Sequence, residues 1–480
     1  MIRQPVLYAI LLVFPLFSAS AQEPGLPVSF EQAVEMVNRD NKSIRIAEQG
    51  LDWAQSERQR LNSFWYPRIS ASGAYVHMAN DIEVKESLSA FTDPVKDFIH
   101  SIDPGEQIIT SLLNNLGSHS FSVPLAPRNV STIDATVALP IFTGGKRIYA
   151  GRIGKSMVGA AEVNRKQVSA DQQVLLVETY FGVPLGQKIV EVRQQTYDAL
   201  EQHFQNALML EATGMLTKPE RLLFQVNREE AKRERETAVK DLSVAQSAFK
   251  TLVQIETDEN ILPVSPLFIN ESLPALDYFK SLVGRDNYIV QGLGIQQDIQ
   301  QNQIKIANSA YMPAIELFGK QTLYSSGIRK NLVPRSLIGV GFTWNLFDGL
   351  GREKQIRQAK INHRILTVEK EKAADDLTLA VDKFYNQTQT ALDNVTALQT
   401  TVEMSREIVR ARHKSFQEGM ATPTEVIDAE LLLSKVRVAI LMAYYQFDTG
   451  LINLLAVCGM PESFDQYSRN GKDETSLTDR

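Results

Sequence analysis

Residues 345–352 read Asn-Leu-Phe-Asp-Gly-Leu-Gly-Arg, and residues 140–147 read Pro-Ile-Phe-Thr-Gly-Gly-Lys-Arg. In both stretches, an alternating segment typical of a β-strand passes through Phe and a glycine turn directly into a helical segment. Phe142 and Phe347 are 205 residues apart. The two stretches therefore predict an internal duplication, in which each half of the chain repeats the same elements.

Two further matches set the extent of the duplication. Residues 214–217 and 419–422 share the pattern Gly-Met-x-Thr, again at an offset of 205. Upstream, Pro67 and Pro313 lie 246 residues apart, so the first copy carries about 41 additional residues. We expect this insertion at about 80–129, between two strands.

The predicted segments follow from these offsets. They are a signal peptide (1–21), a first repeat (22–254), an inter-repeat segment (255–285), a second repeat (286–460) and a polar, disordered tail (461–480). The strands are predicted at 66–78, 131–142, 314–324 and 336–347, and the helices at 146–213, 218–254, 351–418 and 423–458.

The amino terminus has the pattern of a secretory signal. Arg3 precedes an apolar run from Val6 to Phe17, and Ala19-Ser20-Ala21 is a small-residue cleavage site. The alternative is a membrane anchor, but the run is about 12 residues and a membrane helix needs about 20. The pattern favours an exported protein.

Composition excludes some classes of function. The net charge of −6 is spread along the chain, whereas a nucleic-acid-binding protein needs a concentrated basic face, so no nucleic-acid partner is expected. The lone Cys458 allows no intramolecular disulfide, and it is either a reactive thiol or a small buried apolar residue. No catalytic residue, cofactor site or metal site is predicted, because the six histidines are scattered without the local spacing of metal ligands.

The four strands favour a membrane β-barrel over a soluble sheet. Each alternates with a period of two over about ten residues, the length of a tilted membrane strand, and aromatic residues such as Trp65 and Trp344 lie at their ends. The alternative is a soluble sheet with one face on a core. Four strands cannot close a barrel, and barrels begin at about eight strands, so a membrane location requires an oligomer.

The helices are longer than a globular domain needs. From Leu377 to Phe416 apolar residues recur in steps of four and three, which indicates packing along neighbouring helices. A helix of sixty-odd residues would be roughly 100 Å long. Gly214 and Gly419 suit left-handed C-caps, and Thr217 can N-cap a returning helix, so each long helix is predicted to form an antiparallel hairpin.

The duplication, the strand-to-helix passages and the two Gly-x-x-Thr tips together resemble the TolC-like outer membrane efflux protein family. The resemblance covers about residues 30–460. It implies a mixed, mainly α fold: long antiparallel helical hairpins forming an α-barrel, and four membrane strands per protomer in a trimeric 12-stranded β-barrel. It also implies a homotrimer in outer membrane lipid that reaches into the periplasm and works with a periplasmic adaptor protein and an inner-membrane pump.

The resemblance also assigns candidate site residues. Glu425 and Asp428, with Glu220 at the first tip, match acidic positions that line the family's pore entrance. In a trimer each would form a ring of carboxylates that favours cations. The alternative is ordinary helix chemistry, because acidic residues in a first turn stabilise the helix dipole. The best-known member locks its entrance with a tyrosine and an arginine, and Phe416 and Ala421 occupy those positions here.

The tips themselves match the family's adaptor-docking positions. These are Gly214, Met215 and Leu216 at the first tip, and Gly419, Met420 and Ala421 at the second. Ordinary turn chemistry would select similar residues. The insertion is either a helical cap on the extracellular mouth of the barrel or a decoration with no role in transport. For the whole chain, the predicted function is a passive efflux or type I secretion channel, and the alternative is an exported periplasmic coiled-coil scaffold.

Overall fold

The computed structural model describes residues 26–102, 106–255, 261–327 and 334–473. The predicted signal peptide lies outside the described residues. The strands are β1 (Leu26–Val28), β2 (Arg68–His77), β3 (Ile82–Ser87), β4 (Ser120–Ala126), β5 (Asn129–Thr143), β6 (Ile261–Pro263), β7 (Phe268–Ile269), β8 (Ala314–Ser326), β9 (Ser336–Thr343) and β10 (Lys472–Asp473). The helices are α1 (Phe30–Asp40), α2 (Lys42–Asn62), α3 (Ser89–Ile102), α4 (Gln107–Gly117), α5 (Lys146–Ala212), α6 (Lys218–Val253), α7 (Leu276–Asp286), α8 (Tyr288–Ser309), α9 (Gly351–Gln417), α10 (Pro423–Val457) and α11 (Phe464–Arg469).

The predicted combination of helical hairpins and strands is confirmed. The same series occurs twice: a strand pair, a helix of 67 residues (α5 and α9), a short turn and a returning helix (α6 and α10). None of the helices in the described part of the chain carries an apolar stretch that is long enough for a membrane crossing. The trimer stays a prediction, and so does the duplication of the fold.

The chain divides into two compact units. The first consists of the described residues within Met1–Gln49, Val163–Gly292 and Glu371–Arg480, and the second of those within Gly50–Glu162 and Leu293–Lys370. The second unit contains an antiparallel sheet in the order β2-β5-β8-β9. Its register pairs Arg68 with Ala138, Thr143 with Ala314, and Ala314 with Thr343. The four predicted strands are therefore joined in one sheet.

The two faces of this sheet differ in chemistry. One face exposes apolar side chains to the surroundings of the chain: Ile133, Val137, Leu323, Ile338, Val340 and Phe342. The other face carries polar groups. There, Lys320 pairs with Asp134 at 2.8 Å, and the Thr322 hydroxyl donates to Asp134 at 2.7 Å. A soluble sheet would bury its apolar face against a core, whereas this sheet buries polar pairs more than its apolar residues.

An arginine secures the second strand-to-helix passage. Arg352 Nη1 donates hydrogen bonds to the carbonyls of Asn345 (2.8 Å) and Ala310 (3.2 Å), and Nη2 donates to Leu346 at 2.9 Å. Its guanidinium also lies 4.7 Å from the ring centroid of Tyr311. This buried side chain therefore ties the end of the sheet to the first turn of α9.

The first passage has the same contacts at equivalent positions. Arg147 donates a hydrogen bond to the Pro140 carbonyl, and its guanidinium lies 3.8 Å from the Trp65 ring centroid. Arg147 and Pro140 precede their counterparts in the second passage by 205 residues, and Trp65 precedes its counterpart by 246. The two offsets found in the sequence thus describe equivalent contacts in space, which supports the predicted duplication.

The first unit has an aromatic core around the middle of α5. The Tyr180 hydroxyl donates to the Val28 carbonyl at 2.8 Å and accepts from the Ser265 N–H at 3.0 Å. Phe181 is fully buried beside it. This core joins β1 and the inter-repeat segment to the helices. The inter-repeat segment contains β6, β7 and most of α7, where the sequence indicated only a break in the helical pattern.

The prediction of a disordered tail was wrong for residues 461–473. Phe464 is 1% exposed, and its ring centroid lies 5.3 Å from that of Phe30 and 5.5 Å from that of Phe268. Farther on, β10 pairs with β7. Phe464 and the half-buried Tyr467 supply apolar area that fixes this polar segment on the core. Cys458 is also buried, and burial raises the pKa of its thiol to about 12, which fits the apolar alternative and not the reactive one.

The insertion contains two helices at the positions where the sequence indicated helical faces. These are α3 and α4, and they pack against each other. They lie in the chain between β3 and β4. These two strands pair as an antiparallel ribbon, which was not predicted from the sequence.

Candidate functional site at the two hairpin tips

The first tip is a left-handed turn that closes α5. Gly214 has a φ of +75°, the Met215 N–H donates to the Leu210 carbonyl at 2.9 Å, and the Gly214 N–H donates to the Glu211 carbonyl at 3.0 Å. This is the double hydrogen bond of a Schellman cap, which requires a residue with positive φ and therefore favours glycine.

The second tip repeats this geometry. Gly419 has a φ of +72°, and the Met420 N–H donates to the Ser415 carbonyl at 2.8 Å. Both tips expose a methionine, with Met215 at 77% and Met420 at 72% exposure. The residue that follows, Leu216 or Ala421, is half-buried at both tips, and Leu216 packs on an apolar cluster. Each tip therefore presents one flexible apolar side chain to solvent.

Glu220 and Glu425 complete capping boxes at the start of the returning helices. The Glu220 carboxylate accepts from the Thr217 N–H at 2.8 Å and from its hydroxyl at 2.7 Å. Glu425 accepts from the Thr422 N–H at 2.8 Å. These hydrogen bonds hold the pKa of both carboxyls below their usual value, with the Thr217 hydroxyl as the largest cause for Glu220 and the Thr422 N–H for Glu425. The helix-capping alternative is thus present in the structure for both residues.

Asp428 differs from the two capping residues. It lies one turn farther along α10, on the same helix face as Glu425, and its side chain is exposed. Glu425 also accepts from Arg412 Nη1 at 3.0 Å, so part of its charge is already compensated within the chain. Of the three acidic residues predicted to line an entrance, Asp428 is the most exposed, since Glu220 and Glu425 are half-buried.

Behind the tips, an apolar cluster joins the two hairpins. Leu200, Ala207 and Phe224 of the first hairpin pack with Ile427 of the second. Phe416 adds its ring, 6.0 Å from Phe224 in an edge-to-face arrangement. The position that carries a tyrosine in the best-known family member thus contributes apolar packing here.

The sequence analysis missed one group of residues near the tips. His203 on α5, His413 on α9 and Glu430 on α10 place three potential metal-ligand atoms within 4.8 Å of one another. Local spacing could not indicate them, because they lie on three different helices. One signal was available: His203 precedes Gly214 by 11 residues, and Glu430 follows Gly419 by 11, which places them at similar heights above the tips.

Sequence similarity to a known family covers one part of the chain. Residues 291–460, which contain β8, β9, α9 and the second tip, match the family model described as outer membrane efflux protein. The match spans about a third of the chain. The predicted location in the outer membrane agrees with this family description.

One secretion protein is similar to this chain over much of its length. The alkaline protease secretion protein AprF of Pseudomonas aeruginosa is 23% identical over 328 residues. The alignment covers 64% of this chain and 66% of that protein, slightly less than two thirds of its length.

Solved structures share the fold of this chain. The structure of CusC has a TM-score of 0.71 at 14% identity, covering 90% of this chain and 92% of that one. The Campylobacter jejuni CmeC outer membrane channel has a TM-score of 0.69 at 13% identity, covering 93% and 90%. At such identities the similarity establishes the architecture, while the individual tip residues are this chain's own.

Proposed function

We propose that this chain is the outer membrane channel of a tripartite efflux or type I secretion system. In this role it is a passive homotrimeric conduit from the periplasm to the exterior, and it is opened by a periplasmic adaptor and an inner-membrane pump. The similarities fit both efflux and secretion. AprF is named for the secretion of a protease, and the matching family model is described as outer membrane efflux protein.

The observation that carries the proposal is the four-stranded sheet with its apolar face outward. Ile338, Val340 and Phe342 of β9 are 84%, 65% and 76% exposed. Contiguous exposed apolar surface is costly in water and favourable in lipid. Opposite this face, the polar side with Asp134 and Lys320 suits a water-filled interior.

The free edges of the sheet support the trimer. In the described part of the chain, β2 pairs only with β5, and β9 only with β8. An unpaired edge in lipid leaves N–H and C=O groups without partners, so a membrane sheet must close. Three copies would supply twelve strands, above the minimum of about eight.

The tips support the roles of the entrance and of adaptor docking. Met215 and Met420 are exposed, and methionine adapts to varied partner surfaces. With threefold symmetry, Asp428 and Glu425 would each form a ring of three carboxylates that favours cations. Because Glu425 is engaged by Arg412 and Thr422, the Asp428 ring would contribute more to selectivity than the Glu425 ring.

The test begins with protein extracted from outer membranes in detergent. We expect a detergent-dependent particle of three chains that forms pores in planar lipid bilayers. Asp428→Asn should lower the cation preference severalfold, Glu425→Gln should lower it less, and the exposed Glu403→Gln on α9, away from the tip, is the matched control.

Two results would contradict the proposal. A protein that stays soluble and monodisperse without detergent would remove the membrane channel and leave the periplasmic scaffold. Equal selectivity in all three variants and the wild type would remove the acidic ring while leaving the channel intact.

A further inference from the structure

One polar cluster lies within the helices behind the tips. His203 Nε2 is 2.9 Å from His413 Nε2, His413 Nε2 is 2.8 Å from Glu430 Oε1, and His203 Nε2 is 3.7 Å from Glu430 Oε1. The two imidazole planes are inclined at 75°. A proton on one Nε2 can satisfy part of this cluster, whereas a shared cation would satisfy the lone pairs of all three atoms at once.

The dimensions of the cluster are close to those of a metal site. Three ligands of a tetrahedral ion with bonds of about 2.0–2.1 Å lie about 3.3–3.4 Å apart. The distances of 2.9, 2.8 and 3.7 Å are therefore each within about half an ångström of that spacing. An ion equidistant from all three atoms would lie about 0.8 Å above their plane, as in a three-ligand zinc site with an open fourth position.

The surroundings allow an ion to reach the cluster. The side chains of His203 and Glu430 are 8% and 10% exposed, while that of His413 is 35% exposed. Phe224 stacks on the His203 ring at 5.9 Å and limits its rotation. The cluster thus has a buried floor that holds two ligands and an accessible side through which an ion and a water molecule can enter.

We propose that His203, His413 and Glu430 form a binding site for a divalent transition-metal ion of the zinc class. Two imidazoles and one carboxylate are a ligand set that zinc prefers over calcium or magnesium, which favour oxygen ligands. The ligands come from α5, α9 and α10, so a bound ion links the first hairpin to the second. An ion that binds only this arrangement stabilises it by mass action.

The site has a consequence for opening that rests on the proposed channel function. Any movement that separates α5 from α9 or α10 near the tips must break a metal–ligand bond. Zinc would therefore hold the two hairpins of this chain together. The chain has Phe416 and Ala421 where the best-known family member has its polar lock. Binding itself is independent of transport, so a failed binding titration and a failed conductance response are distinguishable.

The test is a Zn²⁺ titration of the untagged full-length protein in detergent by isothermal calorimetry. We expect one ion per chain with a Kd of about 10 μM or lower, and a rise in Tm on addition of zinc. His413→Gln and Glu430→Gln should each weaken binding about tenfold or more. His363→Gln, on the same helix as His413 but 50 residues away, is the matched control and should bind as the wild type does.

X-ray absorption at the zinc edge identifies the ligands directly. Two imidazoles per zinc, with one fewer in His413→Gln, would support the site. His413 is half-exposed, so its substitution should leave the fold intact, and circular dichroism checks this. Equal zinc affinity in the wild type and His413→Gln, or a zinc spectrum without imidazole, would overturn the proposal and leave a proton as the shared cation.

Discussion

Arg352 offers the sharpest test of how the sheet is joined to the long helix. Its side chain is 8% exposed and donates three hydrogen bonds to the carbonyls of Ala310, Asn345 and Leu346. Arg352→Ala removes all three donors and leaves carbonyls unpaired in a mostly buried position. Arg352→Lys keeps the charge but replaces the planar fork by one ammonium group, which cannot reach the three carbonyls with the same geometry.

The expected magnitude follows from these contacts. A hydrogen bond to a charged group contributes about 1.5–3 kcal/mol, but neighbouring bonds to one side chain are not additive. Taking about 1 kcal/mol for each bond, and about 0.5–1 kcal/mol for the contact with the Tyr311 ring, gives roughly 3–4 kcal/mol for Arg352→Ala. At 1.36 kcal/mol for each factor of ten, this corresponds to a local opening roughly 150- to 900-fold more frequent.

Hydrogen exchange measures this opening where it occurs. Peptides that cover the start of α9 should exchange roughly 150- to 900-fold faster in Arg352→Ala, under conditions in which the exchange rate follows the opening equilibrium. Arg352→Lys should fall between Arg352→Ala and the wild type. Arg357→Ala, an exposed arginine on the same helix, is the control and should leave exchange unchanged.

The reasoning would be refuted by equal exchange in Arg352→Ala and Arg357→Ala. The same would follow if faster exchange appeared only at the tip of α9 and not at its start. In either case Arg352 would not stabilise the strand-to-helix passage, and the glycine turn alone would determine its conformation.

Two further predictions concern other parts of the chain. The pKa of the Glu425 carboxyl lies below its usual value of 4.5, so the stabilisation from its cap and from Arg412 is fully present above about pH 4.5 and is lost as the pH falls through the lower folded-state value. Hydrogen exchange at the second tip should therefore stay constant from pH 8 to 6 after correction for the intrinsic rate, and loosening within that interval would contradict the assignment. Phe464→Ala should cost about 3–5 kcal/mol and release the tail to proteases, while the exposed Glu462→Ala should change stability by less than about 0.5 kcal/mol.

Sequence alone predicted the strands, the long helices and the tips because each has a local signal. Alternation with a period of two, heptad spacing and a glycine four or five residues before a first-turn proline can all be read within a short window. In the structure, Val381, Thr388 and Val395 of the predicted heptad face are all buried. The prediction included the polar Thr388, whose hydroxyl donates to the Phe384 carbonyl of its own helix at 2.8 Å.

Features that depend on distant residues were not predictable in this way. Phe464 lies in a polar segment, and nothing in the neighbouring sequence indicates that its ring contacts those of Phe30 and Phe268. His203 and His413 are 210 residues apart and meet only because two hairpins pack side by side. Such contacts have no period in the sequence, so they can be found only once the fold is known.

The two arginine-secured passages also bear on how this chain diverged. Tyr311 is the counterpart of Trp65, and Asn345 is the counterpart of Pro140. In both passages an aromatic ring lies against the guanidinium, and a backbone carbonyl accepts a hydrogen bond from it. Every residue supplies a backbone carbonyl, so a substitution could change the residue type without removing the hydrogen-bond acceptor. What the two halves of the predicted duplication share is therefore a contact and not a set of side chains. Distant relatives should be recognisable by an arginine in the first turn of the long helix, even where the surrounding residues differ.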